Sequence, residues 1–325
     1  MTIMKPKKLQ PGDTIGIVSP SEPIIPRQKE MFDRGVKFLE SLGLKVKIGK
    51  NALNKYYYSA GTREERMNDF NTLWKDPEVK MVMMSHGGET ANHLLDGIDY
   101  EFIRNSPKFF CGISDGTTLL TALFAKTGLV TYHGPDLLYT CGRSMSPVYR
   151  ENFVKTFFDG NVGKLEYDPT WQHEKNPEIK NEGWRCLRGG QASGILMGGH
   201  VGCLISTIFS GFEPDFNGAV LFLEGTDDPG HLDRQFTALK LHGVFDKING
   251  LILGWFEDFD NARANPETFR EARDIILEVT KDYNFPILEI NNLGHNVPNY
   301  VFPIGCQTTI DADKKIIKFD EPLVA

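Results

Sequence analysis

The sequence predicts an α/β fold, with an N-terminal Rossmann-like or flavodoxin-like parallel sheet followed by a second domain of mixed strands and helices. Three observations predict it. Over residues 13–135, short β-branched or apolar runs alternate with longer amphipathic segments, the pattern of a parallel sheet with helices on its faces. Residues 159–190 are rich in Gly, Pro, Asn and Lys and weakly periodic, as a junction between domains is. Beyond them strands and helices mix without regular alternation. At roughly 150 residues per domain, a chain of 325 residues holds about two, which we place at 1–165 and 191–325 around a junction at 166–190.

Taken in order, residues 14–18 (Thr-Ile-Gly-Ile-Val) form the first strand. Residues 26–42 carry Met31, Val36, Phe38, Leu39 and Leu42 near helical spacing and stop at Gly43, where a left-handed C-cap costs little. A strand follows at 45–48. Thr62-Arg-Glu-Glu65 has the form of a capping box, in which each end of the motif satisfies an orphan amide of the other, and opens a helix to about Lys75. Residues 80–85, 109–113 and 129–132 read as strands, with a helix at 117–126. In the second half, 219–223, 250–255 and 286–290 read as buried strands and 232–241 and 266–283 as helices. Residues 308–319 read as a terminal hairpin turning at Asp311-Ala-Asp313.

Composition excludes several function classes. The 36 Lys and Arg against 43 Asp and Glu give a formal charge of −7, the wrong sign for an extended nucleic-acid footprint. With 40% hydrophobic and 24% charged residues the chain has a globular composition and not a disordered one. The five cysteines are scattered with no C-x-x-C pair, so neither a zinc site nor a redox pair is expected, and a reduced, cytoplasmic setting is. Lys5, Lys7 and Lys8 are followed by no apolar signal core, and no apolar run approaches the ~20 residues of a membrane span. Dinucleotide, P-loop and zincin motifs are absent from the sequence.

The sharpest motif is Gly112-Ile-Ser-Asp-Gly116, a G-x-S-x-G between a predicted strand and a predicted helix. That context suits a nucleophile elbow, where small neighbours permit a turn tight enough to expose the Ser114 hydroxyl. The structural alternative is a serine that caps the helix. A serine needs a base and an orienting acid. His295, in a loop after the strand at 286–290, is the candidate base, or else a loop histidine bonded to a neighbouring carbonyl. Glu224 ends the apolar run 220–223 and must find a partner there. It could instead cap the following helix or pair with Arg234, and Asp227 and Asp228 are looser candidates for the acid.

Gly87-Gly88, after the strand at 80–85, could donate amides to an anion or be an ordinary turn. Gly189, Gly190, Gly194, Gly198 and Gly199 could approach a ligand, though tight packing explains them better. His86 and His93 could share a metal only if both were helical. The Tyr56-Tyr-Tyr58 run, Trp171 and Trp184 could stack on a substrate ring or cover core edges. Cys111 is a competing nucleophile, but it lies inside a predicted strand. A non-catalytic module holding a small anion is the competing class of function.

The sequence resembles the serine LD-carboxypeptidase family, which includes the microcin C self-immunity proteins. The resemblance runs from Leu9-Gln-Pro-Gly-Asp-Thr through Gly61-Thr-Arg, Gly112-Ile-Ser-Asp, Thr131-Tyr-His-Gly-Pro135 and Gly194-Ile-Leu-Met-Gly-Gly199. It continues through Leu221-Phe-Leu-Glu224, Leu232-Asp-Arg234 and Gly294-His295 to Pro303-Ile-Gly305. It implies a Ser-Glu-His triad at Ser114, Glu224 and His295, and an oxyanion hole from the amides of Asp115 and of Gly87 or Gly88. It implies a Rossmann-like first domain resembling class I glutamine amidotransferases, a second, smaller, β-rich α/β domain, no metal or organic cofactor, and a homodimer. A small peptide or aminoacyl-nucleotide substrate is expected, with no nucleic acid polymer and no membrane as partner. The murein-trimming branch carries a Gly-Gly-Tyr-Gly-like turn, whereas this chain has Gly87-Gly-Glu-Thr, closer to the immunity-protein branch. In that branch a junction-loop tryptophan stacks on a nucleotide base, which makes Trp184 the candidate here. The murein alternative would release D-alanine from a tetrapeptide.

Overall fold

The computed structural model describes residues 2–143, 145–257, 267 and 269–325. Its first half alternates as β1 (Thr14–Val18), α1 (Lys29–Ser41), β2 (Lys45–Ile48), α2 (Arg63–Lys75), β3 (Val79–Met84), α3 (Tyr100–Asn105), β4 (Phe109–Gly112), α4 (Gly116–Thr127) and β5 (Thr131–His133). All five strands pair in parallel, with β1 between β2 and β3. Strands β1 and β4 are buried throughout and so read as unbroken apolar runs. The edge strand β2 alternates between exposed and half-buried positions. The capping box forms at the start of α2: Glu65 N–H donates to Thr62 Oγ1 at 3.2 Å and Thr62 N–H to Glu65 Oε2 at 2.8 Å.

The second half comprises α5 (Pro147–Val154), β6 (Lys164–Leu165), β7 (Arg185–Arg188), β8 (Gln191–His200), α6 (Val201–Thr207), β9 (Val220–Gly225), α7 (Pro229–Leu241), β10 (Gly250–Phe256), α8 (Ala272–Val279), β11 (Ile287–Glu289), β12 (Phe302–Ile304), β13 (Gln307–Asp311) and β14 (Ile316–Phe319). Eight of these strands form one sheet in the order β6-β14-β13-β8-β9-β10-β11-β7. Its centre, β8 to β11, is parallel and its flanks are antiparallel. Strand β12 crosses back and pairs antiparallel with β5, completing a six-stranded first sheet.

Several elements differ from expectation. The glycine-rich stretch is β8, a ten-residue strand. Its glycines admit close approach: a Cβ on Gly198 would lie 1.8 Å from the Phe222 carbonyl oxygen, and one on Gly194 would lie 1.9 Å from that of Gly218. Tight packing, not ligand approach, accounts for them. The terminal hairpin turns after β13, where Asp311 Oδ1 accepts from Lys314 N–H at 2.9 Å. Helix α8 occupies only the middle of the predicted 266–283, of which residues 266 and 268 lie outside the described residues. Strand β9 continues through Gly225, so Glu224 sits inside it rather than ending it.

The two sheets share one hydrophobic core. Phe222 of β9 meets Phe302 of β12 and the ring of His133, both at 5.2 Å between centroids. Thr117, in the first turn of α4, accepts from the His200 amide at 2.9 Å and so ties the end of β8 to the start of α4. The C-terminal ends of β4 and β9 are thereby brought together, and such ends are where ligands bind in open α/β sheets.

Candidate active site

Ser114 follows β4 with φ +61°, a left-handed backbone that a non-glycine residue adopts only when its surroundings enforce it. Enforcement comes from both sides. Gly112 and Gly116 pack on Met84, where a Cβ would meet sulfur at 2.4 and 2.6 Å respectively. Thr117 N–H donates to the Ser114 carbonyl at 2.9 Å and starts α4 directly behind it. A strand entering a helix through one strained residue is the local geometry of a nucleophile elbow.

The Gly87-Gly88 turn lies against this elbow. A Cβ on Gly87 would fall 2.8 Å from Ser114 Cβ and 3.0 Å from its Oγ, so only glycine fits. The turn is clamped from behind by Asp115, whose Oδ2 accepts from Ser21 Oγ at 2.7 Å and from Ala91 N–H at 2.8 Å. Arg66 braces the same shell, donating to the Thr90 carbonyl and hydroxyl at 3.0 Å each. Among the described residues, the amides of Gly87, Gly88 and Asp115 find no hydrogen-bond acceptor. Unpaired amides beside a serine hydroxyl are what an oxyanion requires.

Glu224 is completely buried in β9, with Oε2 2.8 Å from His295 Nδ1. Its Oε1 faces His133 Nε2 at 3.5 Å, beyond hydrogen-bond length. Both oxygens therefore face histidines, not Arg234. Burial by itself would raise the Glu224 pKa; His295, His133 and His200 outweigh it and hold the carboxyl well below the usual range. For His295 burial pushes the other way, but the Glu224 charge and hydrogen bond prevail, and its pKa is raised. With Nδ1 engaged by Glu224, proton transfer by the ring would run through Nε2. His200 stands edge-on to His295, 5.7 Å between centroids, with Nε2 3.2 Å from Thr226 Oγ1.

Ser114, Gly87, Gly88 and His295 all line one cavity of about 350 Å³. Its other walls carry Glu22, His86, Glu89, Asp136, Arg143, Glu174 and Lys175. Arg143 lies over the Tyr139 ring at 4.9 Å, pairs with Glu174 and donates to Asn296 Oδ1 at 3.3 Å, which ties the segment after β5 to the loop carrying His295.

Other candidates fall elsewhere. Trp184 is corrected: it is 1% exposed, donates Nε1–H to Asn292 Oδ1 at 2.5 Å and lies outside the cavity, because the residue leads directly into β7 and its ring packs in the core. It has no free face for a base. Trp171 is buried at 3% against His173 and Trp255, whereas Tyr57 and Tyr58 are exposed. Cys111 is enclosed in β4, where burial pushes its thiol pKa up and away from nucleophilic use. Asp228 takes the helix-capping role, accepting from Gly230 and His231 amides, and Asp227 accepts from Gln235. His93 Nδ1 lies 3.1 Å from Arg66 Nη2, a neighbour that disfavours a metal. His133 was missed as a neighbour of Glu224; its only signal is its place in Thr131-Tyr-His-Gly-Pro135.

Comparison with known proteins places this site in a family. Residues 15–134 match the LD-carboxypeptidase N-terminal domain and residues 193–310 the LD-carboxypeptidase C-terminal domain. The chain belongs to the LD-carboxypeptidase family of serine carboxypeptidases. It is 34% identical to the protein of Bacillus subtilis (strain 168) named "Probable murein peptide carboxypeptidase", over 96% of this chain and 92% of that one. It is 33% identical to the microcin C7 self-immunity protein MccF of Escherichia coli, over 95% of this chain and 94% of that one. The fold superposes on MccF in complex with aspartyl sulfamoyl adenosine with a TM-score of 0.89 at 31% identity, covering 99% of this chain and 100% of that one. No described helix is long and apolar enough to cross a membrane.

Proposed function

We propose that Ser114, His295 and Glu224 form the catalytic triad of this carboxypeptidase, with the amides of Asp115 and of Gly87 or Gly88 as its oxyanion hole. The observation that carries this reading is the 2.8 Å Glu224–His295 pair opening on the cavity that holds Ser114 at its left-handed elbow. Ser114 Oγ attacks the substrate carbonyl while His295 Nε2 takes the hydroxyl proton, and the oxygen that becomes negative is met by the unpaired amides. The C–N bond then breaks, His295 returns its proton to the departing nitrogen, and water hydrolyses the acyl-enzyme by the same route. Glu224 fixes the Nδ1–H tautomer and stabilises the imidazolium. No step calls for a metal.

The preferred substrate is an aminoacyl nucleotide of the kind bound in the MccF complex, and the alternative is a murein tetrapeptide that loses D-alanine. A homodimeric, cytoplasmic protein goes with either reading. The test offers purified protein an aminoacyl-sulfamoyl adenosine and a D-alanine-terminated tetrapeptide and follows products by mass spectrometry. Cleavage of one identifies the branch. Ser114→Ala is expected to lower turnover about 10³-fold or more with the thermal midpoint unchanged, on the scale of triad serines. Undiminished turnover in that variant would remove Ser114 from the mechanism. Ligand binding with neither turnover nor labelling of Ser114 by a fluorophosphonate would make the protein a non-catalytic small-anion module.

A further inference from the structure

Among the described residues, three buried side-chain atoms of cavity-lining residues have no hydrogen-bond partner: an acceptor on each of His86 and Asp136, and the donor Asn296 Nδ2. His86 directly precedes the Gly87-Gly88 turn and is 3% exposed; Asp136 follows β5 and is fully buried. Both line the cavity. His86 Nε2 and Asp136 Oδ2 have no hydrogen-bond partner, although Asp136 Oδ1 accepts from Tyr139 and Thr140 amides at 2.8 and 2.7 Å. A buried polar atom without a partner costs free energy and calls for an explanation.

The protonation of His86 follows from the bonds behind it. Ser19 Oγ donates its hydrogen to the Ala52 carbonyl at 3.1 Å. The 2.7 Å contact between Ser19 Oγ and Ser85 Oγ therefore uses the Ser85 hydrogen. Ser85 Oγ has none left to give, so across the 3.0 Å contact His86 Nδ1–H is the donor. Nε2 is then the unprotonated nitrogen, a buried lone pair on a residue that lines the cavity. Burial pushes the His86 pKa down to about 4, which keeps the ring neutral. Glu22 Oε2 lies 3.8 Å from that same Nε2.

Beside the donor amides at Ser114 and the Asn296 Nδ2 amide, the cavity-lining residues offer three acceptors: an imidazole lone pair, the free oxygen of Asp136 and the Glu22 carboxylate. Glu22, Glu89, Asp136 and Glu174 set four carboxylates around the cavity against Arg143 and Lys175, so its field favours a cation. Arg143 is already paired with Glu174. A group with several N–H donors and a positive charge suits acceptors of this kind, and a primary ammonium is the smallest such group.

We propose that His86 Nε2, Asp136 Oδ2 and the Glu22 carboxylate form a subsite for a primary ammonium group of the substrate. The proposal rests on reading this cavity as the substrate site and adds what the substrate must carry. The probes are alanyl-sulfamoyl adenosine and its N-acetyl derivative, titrated by calorimetry into the Ser114→Ala protein, where binding is read without turnover. The free amine is expected to bind about tenfold more tightly or better, the scale of a charge-assisted hydrogen bond. Adding Asp136→Asn, which keeps the Oδ1 acceptor for the Tyr139 and Thr140 amides, or His86→Leu is expected to bring the ratio close to one. Equal binding of the two probes, no binding of either, or a ratio unmoved by both added substitutions overturns the subsite. Preference for the free amine without Ser114-dependent hydrolysis in the unsubstituted protein leaves the subsite standing and removes the reaction.

Discussion

The two sheets furnish the cavity by opposite means. The first supplies Ser114 and the unpaired amides through backbone geometry: a strained residue at φ +61° and a glycine pressed against it. The second supplies Glu224 and His295 through electrostatics: a carboxylate sealed in β9 whose charge is held by the imidazoles facing it. The difference teaches that a position depends on shape where an atom must be exposed, and on charge where a proton must move. Substitutions on the two sides should therefore fail in different ways.

On the proposed triad, Glu224→Gln gives the largest effect after loss of Ser114. Removing the carboxylate charge while keeping the volume is expected to lower kcat/KM about 10³- to 10⁴-fold, as for the equivalent change in other triads. It should also displace the pH profile. In the proposed triad His295 must be neutral to act as base, and Glu224 raises its pKa, so activity is expected to fall as pH drops through that raised value. Without the charge, the acid limb of kcat/KM should move to lower pH. An unmoved acid limb would mean that Glu224 acts through shape, and the contrast between the sheets would collapse.

Gly87→Ala breaks the other side. Its Cβ would sit 3.0 Å from Ser114 Oγ, so the hydroxyl and the neighbouring amides must move apart. Loss of about 10²-fold in kcat is expected, the cost of one misplaced oxyanion donor, with the acid limb unchanged. Steady-state kinetics across pH distinguish this from Glu224→Gln. A shifted acid limb in the glycine variant would show that the two sides are not separable.

The same division governs what the sequence discloses. Ser114 was legible because its backbone demand is met by glycines at fixed spacing, and the α2 capping box because both partners lie within four residues. Glu224 and His295 were singled out by their places at a strand and in a loop, but a sequence separation of 71 hides the pairing from any local rule. Strand β8 was obscured because its glycines read as a flexible junction, while the reason for them is β9, some 24 residues away. Strand β12 was missed because three residues paired with β5 in the other half carry no local signal. Trp184 misled because the resemblance supplied a stacking tryptophan in the junction loop, whereas here the residue leads into an edge strand and its ring is buried. The His86 lone pair follows only from hydrogen bonds linking Ala52, Ser19 and Ser85, which no spacing announces.

The smallest expected effect lies in stability and sharpens the electrostatic half of the comparison from within the first sheet. Burial raises the Asp136 pKa to about 6, so folding favours its protonated form. The sign follows by linkage: the cost of keeping it ionised is absent below the ordinary carboxylate pKa and complete once pH exceeds about 6. Asp136→Asn keeps the two backbone hydrogen bonds and removes that cost. It should therefore stabilise the fold by about 1–3 kcal/mol at pH 8, at 1.36 kcal/mol for each pKa unit, and by almost nothing at pH 4. Denaturant unfolding at the two pH values reads the difference directly. A gain confined to high pH would mean that the wild-type chain tolerates an unfavourable buried charge, as expected where a cavity is kept for a ligand and not for the fold. An equal effect at both pH values would mean that Asp136 acts through packing alone.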